Sequence, residues 1–372
     1  MSKPRLLWLN IAIFASTFIV ALFAVPYRAY THGFDAFEIL AAIFCFIFCG
    51  MSITVGYHRL WSHRTYKAHA FVRLFCALGG AFALQNSILH WSSDHRVHHK
   101  HVDNNDVDPY SANKGFWYSH IGWMLRDYHA STYSNYDNVR DLQKEKIVMW
   151  QHKYYVPLAL AMNIGIPVLL GWLNGDIVSA LLLVGVLRLV LSHHTTFFIN
   201  SLAHIWGKQT YTDKNTARDN GFLAFFTFGE GYHNFHHIFE NDYRNGIRWF
   251  QFDPSKWLIK GLSYIGLTWN LRKTPEDKIA KAKAKMQLQF SQQKAQGKIN
   301  ADDVLATLQA EYDLLIEQMT DYYDAKKTLL NHKRDQLAKD VEDCALMQRY
   351  IEMRNQLKLR TKQWNMLRAQ YA

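Results

Sequence analysis

Four long apolar runs constrain this chain more than any other feature, because each is long enough to cross a lipid bilayer. A membrane-spanning helix needs about 20 mostly apolar residues. The sequence supplies such runs at Leu6–Val25, Ile39–Val55, Val156–Leu173 and Ile177–Ile199. They predict an all-α integral membrane protein with four transmembrane helices.

The charges around these runs predict a topology. Four spans place both termini on one side of the membrane, and Lys3 and Arg5 before the first run favour the cytoplasm for that side. Residues 56–155 and everything after the fourth run then form a cytoplasmic helical cap on a multi-pass protein, in a bacterial inner membrane or an ER-type membrane. The fourth run also carries Arg188, and an ionisable residue within a span is expected to face a cavity.

The composition changes at Pro275, which predicts a domain boundary. Residues 1–274 hold all four apolar runs, whereas residues 275–372 are rich in Lys, Glu, Gln and Ala. A 3-4-3-4 spacing runs through Leu305, Leu308, Tyr312, Leu315, Met319 and Tyr322, which is typical of a short heptad stripe. We therefore expect a membrane domain at 1–274 and a C-terminal helical, coiled-coil-like extension at 275–372, with a turn near Gly297–Asp303.

The net charge of +11 and the four cysteines limit the partners and the compartment. Basic residues that flank membrane spans meet anionic lipid headgroups, so we expect a lipid bilayer and no nucleic acid as partner. The cysteines form no CxxC pair and three of them lie in apolar runs, which is typical of core residues in a reducing compartment.

The histidines cluster in four short motifs, which read HRLWSH, HRVHH, NSLAH and HNFHH. Positions i, i+3 and i+4 share one face of a helix, so each H-x-x-H-H motif can direct three imidazoles to one place. His58 and His63 are five residues apart and are expected on different faces of a helix end that bends back. The candidate metal ligands are His58, His63, His95, His98, His99, His204, His233, His236 and His237.

All four motifs fall on the predicted cytoplasmic side at or just beyond helix ends, with His58 and His63 after the second run and His204 after the fourth, so the helices can deliver nine histidines to one membrane-proximal layer. A nitrogen-rich site suits iron, copper, nickel or zinc rather than magnesium or calcium. A membrane metal transporter is an alternative, but it would place histidines and carboxylates inside the spans along a path, and nearly all of these lie outside.

The four motifs closely resemble those of the membrane fatty acid desaturases, in particular the stearoyl-CoA and bacterial delta-9 acyl desaturase branch. The resemblance covers about residues 5–270. It implies a di-iron centre (two Fe²⁺) held by histidines, which uses O2 and two electrons to place a cis double bond in a saturated acyl chain, with delta-9 as the implied position. A hydroxylase that acts on alkanes or lipids with the same oxidant is the alternative.

The resemblance also implies residue roles. One iron takes His58, His63, His95, His99 and His236, and the other takes His98, His204, His233 and His237. Asn200 holds a water at the centre. Gln85, Trp91 and Thr196 match residues that bend the acyl chain, and Asn86 and Asp94 match residues near the headgroup. Asp94 and Arg96 are also expected to orient ligand histidines.

The sequence leaves alternatives for the headgroup of the acyl substrate and for the electron donor. The acyl-CoA enzymes of the family have an arginine before the aspartate, where this chain has Ser93. Acyl-CoA, phospholipid-bound and carrier-protein-bound chains are therefore alternative substrates. The tail lacks the histidine pair of a cytochrome b5-like haem segment. Electrons are expected from an external ferredoxin-, rubredoxin- or cytochrome b5-like carrier with its reductase.

Overall fold

The computed structural model describes residues 4–128, 134–296, 300–335 and 342–370. Two compact units divide the chain. The first comprises Met1–Lys208 and Lys214–Lys273, and the second comprises Gln209–Asp213 and Thr274–Ala372.

Four helices of the first unit are long and apolar enough to cross a membrane, which confirms the prediction of four spans. They are Trp8–Thr31, Ala36–Ser62, Tyr155–Asn174 and Ile177–His204. The second and fourth continue beyond the predicted apolar runs, because the helical backbone extends into the polar histidine motifs that follow. These extensions carry His58 and His204 away from the apolar part of each span.

Regular α-helix alternates with wider π-helix inside these spans. The α-helical parts are Trp8–Ile19, Val25–Thr31, Ala36–Met51, Tyr155–Leu160, Ile166–Asn174, Ile177–Ala180 and Arg188–Asn200. The π-helical parts are Val20–Ala24, Ser52–Ser62, Ala161–Gly165 and Leu181–Leu187. The fourth span ends in a 3₁₀ turn, Leu202–His204.

Short polar turns join the spans in pairs. Asp35 begins the second span with a capping box, in which its carboxylate accepts from the Glu38 amide and the Glu38 carboxylate accepts from the Asp35 amide. Asp176 caps the fourth span by accepting from the Ser179 amide at 3.0 Å, and it also pairs with Arg28 of the first span. These contacts fix the ends of the spans that lie farthest from the histidine motifs.

Arg188 lies buried in the fourth span, where oxygen atoms of the protein satisfy its guanidinium. Its guanidinium donates to Val184 O at 2.8 Å, to Phe82 O at 2.7 Å and to Asn163 Oδ1 at 3.0 Å. Carbonyl and amide oxygens can satisfy a buried guanidinium without water. The side chain therefore ties the fourth span to the third span and to the helix that ends at Phe82.

The remaining helices of the first unit form the cap. The α-helices are Ala70–Phe82, Ile88–His101, Phe116–His120, Lys146–Lys153, Gly221–Phe226, His233–Ile238 and Pro254–Tyr264. Short 3₁₀ turns lie at Ala112–Lys114, Gly122–Met124, Asp137–Val139 and Leu142–Lys144. Two strands, Lys67–Ala68 and Thr268–Trp269, pair antiparallel with Lys67 opposite Trp269.

The core of the first unit lies where the C-terminal half of the second span meets the Ala70–Phe82 helix. Two glycines of that helix permit the close approach. A Cβ at Gly79 would lie 2.0 Å from Ser52 Oγ, and one at Gly80 would lie 2.1 Å from a ring carbon of Tyr57. This packing holds the second span rigidly just before its histidine motif.

The second unit contains three long helices, Glu276–Ala295, Ala301–Asp335 and Glu342–Gln370. Their core includes Leu308 and Leu315 of the predicted heptad stripe, together with Trp364. The helical extension expected from the sequence is present. Three residues of its predicted turn, 297–299, lie outside the described residues, and the domain boundary at 274/275 stays a prediction.

Candidate metal centre

The HRLWSH motif lies at the C-terminal end of the second span, where the backbone is π-helical over Ser52–Ser62. The His63 amide donates to the His58 carbonyl at 3.1 Å, an i to i+5 hydrogen bond. The wider π turn places residues five apart on the same side. The two rings therefore lie 4.8 Å apart, and the expectation that they occupy different faces is wrong.

The HRVHH motif lies in the last two turns of the helix Ile88–His101, which begins after Ser87 caps it through the His90 amide. As the i, i+3, i+4 spacing predicts, His95, His98 and His99 share one side of this helix. The HNFHH motif forms the short helix His233–Ile238. His204 ends the fourth span in its final 3₁₀ turn.

The nine histidines form two adjacent groups whose candidate ligand atoms lie within 4.8 Å of one another in each group. The rings of His99 and His237 stack at 4.3 Å, so the two groups share a wall. These sets are the same two that the resemblance implied for the two irons. The five-histidine group is His58, His63, His95, His99 and His236, and the four-histidine group is His98, His204, His233 and His237.

Within each group the Nε2 atoms face one another. In the five-histidine group, Nε2 of His236 lies 2.9 Å from Nε2 of His58 and 3.0 Å from Nε2 of His99. In the four-histidine group, Nε2 of His237 lies 3.3 Å from Nε2 of His98 and 3.0 Å from Nε2 of His233. Convergence of Nε2 atoms is the arrangement expected of ligands to a common ion.

Several of these imidazoles turn their other nitrogen toward a carboxylate. Nδ1 of His98 lies 2.9 Å from Asp108, Nδ1 of His58 lies 3.0 Å from Glu230, and Nδ1 of His99 lies 3.2 Å from Glu240. A carboxylate only accepts, so such a partner favours the neutral tautomer that has the proton on Nδ1 and a lone pair on Nε2. His204 Nδ1 lies 2.8 Å from Thr216, whose hydroxyl donates to Asp103 at 2.7 Å.

This tautomer assignment shows that the residues fit a metal ion. His58 and His99 both direct a lone pair at Nε2 of His236, and a neutral His236 has at most one Nε2 proton to share between them. Burial lowers the pKa of the His236 imidazole well below its usual value and that of His99 to about 4, so both rings stay neutral at physiological pH. A cation at the centre of each group satisfies all the lone pairs at once.

Sequence reasoning missed the acidic partners, because single carboxylates carry no spacing pattern. Glu230 is held in place by a buried ion-pair network. Arg59 donates to Glu230 at 2.9 Å and lies 2.9 Å from Asp253, and all three side chains are buried. Burial alone would raise the pKa of the Glu230 carboxyl, but His58 and Arg59 lower it below its usual value. The one available signal was position, since Glu230 and Glu240 flank HNFHH and Asp108 follows HRVHH.

Arg96 and Asp94 do not touch a candidate ligand in the way expected. Arg96 donates to the Trp61 carbonyl at 2.8 Å and to the Ser62 carbonyl at 3.0 Å, so it holds the backbone of HRLWSH rather than a ring. Asp94 lies 3.3 Å from Nε2 of His90, which is outside both groups. Burial raises the pKa of the Asp94 carboxyl to about 7.

The residues expected to contact the acyl chain lie beside the five-histidine group or close to the fourth span. Gln85 donates to the Thr196 hydroxyl at 2.9 Å. The Trp91 ring stacks on His95 at 4.8 Å. Asn86 occupies a tight turn with φ of +72°, where its side chain accepts from the Ser87 amide at 2.8 Å.

Asn200 is the last residue of the helix Arg188–Asn200, four positions before His204. It is half-buried. Its position brings it to the end of the span that carries His204 of the four-histidine group. The roles assigned to Asn200 and to the acyl-chain residues stay predictions.

The chain has four helices that could span a membrane and two adjacent groups of histidines that could each hold a metal ion. These are the features of a membrane metalloprotein. A sequence model of the fatty acid desaturase family matches residues 37–270, a range that contains all nine histidines. The chain belongs to the fatty acid desaturase family, which confirms the resemblance.

Individual relatives support the same family. The chain is 42% identical over 275 residues to a probable acyl-CoA desaturase of Schizosaccharomyces pombe, a match that covers 74% of this chain and 56% of the relative. It is 32% identical over 287 residues to stearoyl-CoA desaturase 5 of Bos taurus, covering 76% and 84%. It is 33% identical over 279 residues to an sn-2 palmitoyl-lipid 9-desaturase of a Nostoc strain, covering 74% and 93%. The chain spans about half the length of the yeast relatives that it matches.

Proposed function

We propose that this chain is an O2-dependent fatty acyl desaturase with one Fe²⁺ in each histidine group. The observation that carries the proposal is the pair of adjacent histidine groups with converging Nε2 atoms in a chain of this family. The names of the relatives, which include acyl-CoA desaturases and a lipid 9-desaturase, support a cis double bond at the delta-9 position.

The reaction removes two hydrogens from adjacent methylenes of a saturated chain. With O2, two electrons and two protons it gives one carbon–carbon double bond and two molecules of water. Bound iron would supply the strong oxidant that an unactivated C–H bond requires, which zinc, being redox-inert, does not provide.

The protein's own contribution is to position the acyl chain and to keep water out. The Gln85–Thr196 hydrogen bond and the Trp91 ring, which lies against His95, would form a rigid wall for a bent chain. Fixing one pair of carbons opposite the centre would account for a single bond position, because small misplacements of a reacting group cost large factors in rate. Asn200 would hold a water at the edge of the four-histidine group.

The substrate would be an acyl chain on coenzyme A or on a phospholipid. Asn86 and Asp94 would lie toward its headgroup, and both are held by neighbouring residues. The names of the relatives support both substrate classes, since they include acyl-CoA and lipid desaturases.

The proposal places both termini and the histidine groups on the cytoplasmic side of the membrane. The even number of apolar helices and the basic residues before the first span support it. It also includes an external one-electron carrier with a reductase, of the ferredoxin, rubredoxin or cytochrome b5 type. Thiol labelling of single cysteines placed at the span ends tests the orientation.

Lipid analysis of a host that expresses the chain tests the function. Fatty acids are measured by gas chromatography and mass spectrometry after separation into acyl-CoA and phospholipid classes. The matched pair is His98→Ala, which removes a candidate ligand, and His32→Ala, which removes an exposed histidine between the first two spans.

We expect a new cis-monounsaturated chain in the wild type and in His32→Ala, and none in His98→Ala. The lipid class in which it first accumulates identifies the headgroup. Hydroxylated products in place of unsaturated ones would assign the chain to the hydroxylase alternative. Full activity of His98→Ala would exclude the metal centre proposed here.

A further inference from the structure

The three carboxylates that lie closest to Nδ1 atoms of the nine histidines differ in their access to solvent. The side chains of Asp108 and Glu230 are 0% and 2% exposed, whereas that of Glu240 is 44% exposed. Glu240 lies 3.2 Å from Nδ1 of His99 and 3.9 Å from Nδ1 of His63. One carboxylate therefore connects two rings of the five-histidine group directly to the surface.

Glu240 stands in the wall of an open depression with a volume of about 420 Å³. His63 and His99 also line it, so the five-histidine group forms part of its floor. None of the four histidines of the other group is among the described residues that line this depression. Its lining consists of Ser62, His63, Arg64, Arg96, His99, Lys100, Asn138, Glu240 and Asn241.

The rim of the depression is cationic. Arg64, Lys100 and Arg96 line it, and Arg272 donates to Asn241 at 3.5 Å. Among the described lining residues, three cations stand against one carboxylate, Glu240, and Asp141 outside the lining pairs with Arg96 and Arg64. The Arg64 side chain is 62% exposed and Lys100 is exposed, so both can meet a partner.

Arg96 gives this rim a fixed geometry. It binds the Asp141 carboxylate through two hydrogen bonds of 2.7 and 3.0 Å, and it also holds the Trp61 and Ser62 carbonyls. A bidentate arginine of this kind is well ordered. The depression is therefore a preformed surface, which lowers the conformational cost of binding a partner.

We propose that this depression docks an acidic one-electron carrier protein, and that electrons enter the metal centre at the five-histidine group. This inference rests on the proposed function, since that reaction consumes two electrons. Each docking oxidises the carrier by one electron and reduces the centre by one, so two successive dockings serve one double bond. The edge formed by Glu240, His99 and His63 is the short path from the surface to the centre.

Charge complementarity argues for a protein carrier with an acidic face. Opposite charges steer association and set its salt dependence. Electron-transfer complexes have small interfaces and are transient. A depression of this size accommodates a few acidic side chains of a carrier and brings its redox group close to His99.

The test measures carrier binding to the full-length chain in lipid nanodiscs. The probes are an acidic plant-type [2Fe–2S] ferredoxin and the soluble domain of cytochrome b5. The double variant Arg64→Glu/Lys100→Glu reverses two charges of the rim. The matched control Lys67→Glu/Lys260→Glu reverses two exposed charges that do not line the depression.

We expect at least one carrier to bind the wild type at low ionic strength and to bind more weakly as salt rises. The rim variant should raise its Kd by about tenfold or more, and the control by less than about twofold. Equal Kd values in the wild type and the rim variant, equal losses in both variants, or no binding of either carrier to the wild type would overturn the proposal.

Kinetics separate docking from structural damage. In the rim variant, KM for the carrier should rise while iron content and reduction by dithionite stay at wild-type levels. The milder Lys100→Gln variant should show a smaller rise in Kd than the double variant. If the double variant does not fold, an unchanged Kd in Lys100→Gln would overturn the proposed docking surface. Unsaturated product formed with dithionite reports on the proposed function alone, so the two hypotheses fail independently.

Discussion

The two histidine groups use the same residue type and share a wall, yet they differ in their surroundings. The five-histidine group reaches solvent through Glu240 and the cationic depression. In the four-histidine group, His98 faces the buried Asp108 and His204 faces Thr216, which Asp103 supports. The difference indicates that one group is built for access and the other for enclosure.

The difference cannot be read from the motifs, because each H-x-x-H-H motif contributes to both groups. His99 and His98 are neighbours in sequence but belong to different groups, as do His236 and His237. The outer carboxylates, rather than the histidines, distinguish the groups.

We expect the largest effect from the loss of one ligand in either group, because the proposed catalysis needs both groups although their surroundings differ. His98→Ala and His236→Ala each remove one candidate ligand from a different group. Each should lower desaturation by about 100-fold or more, because neither metal alone completes the centre. Product analysis and membrane fractionation measure activity and insertion, and full activity in either variant would contradict the assignment of that group.

A smaller effect is expected when the support of the five-histidine group is removed. Arg59→Met leaves Glu230 and Asp253 as buried carboxylates without their guanidinium partner. Breaking a buried ion pair from one side costs about 3–5 kcal/mol. We expect a clear fall in the thermal unfolding temperature of the purified protein and loss of iron. An unfolding temperature equal to that of the wild type would show that the network does not support this group.

Substitution of the outer carboxylates should affect the two groups to different extents. Asp108→Asn replaces a buried carboxylate that faces His98 Nδ1, and loss of such a partner weakens metal binding by about 10- to 100-fold. Glu240→Gln changes a half-exposed position and should cost less than about tenfold, since exposed charge interactions are screened by solvent. The rate of iron loss to a chelator measures both, and a larger effect at Glu240 would reverse the proposed division between the groups.

The smallest effect is expected from deletion of residues 275–372. The three helices of the second unit have their own core around Leu308, Leu315 and Trp364, and all nine histidines precede them. Iron content of the truncated chain should stay within about twofold of the wild type, as measured by elemental analysis, because metal affinity depends on the ligands and their immediate partners. Loss of iron would show that the predicted boundary is misplaced.

Sequence patterns predicted the four spans and brought out the nine histidines, because both signals depend on local periodicity and spacing. They did not predict that His58 and His63 share one side, since that follows from π-helical backbone, which has no residue signature. They also missed Asp108, Glu230 and Glu240. The partners of these carboxylates are chosen by tertiary packing, as Arg59 shows by reaching Asp253 across 194 positions of sequence.

The dispersal of the candidate ligands along the chain has a consequence for the life of the protein in the cell. The stretches 58–63, 95–99, 204 and 233–237 are separated by long segments of chain, which include the third and fourth spans, and an ion bound as proposed would close each segment as a cross-link does. A newly inserted chain acquires these cross-links only after its last span and the HNFHH helix are in place. Iron bound as proposed would therefore stabilise the folded cap against local unfolding, and with it against proteolysis.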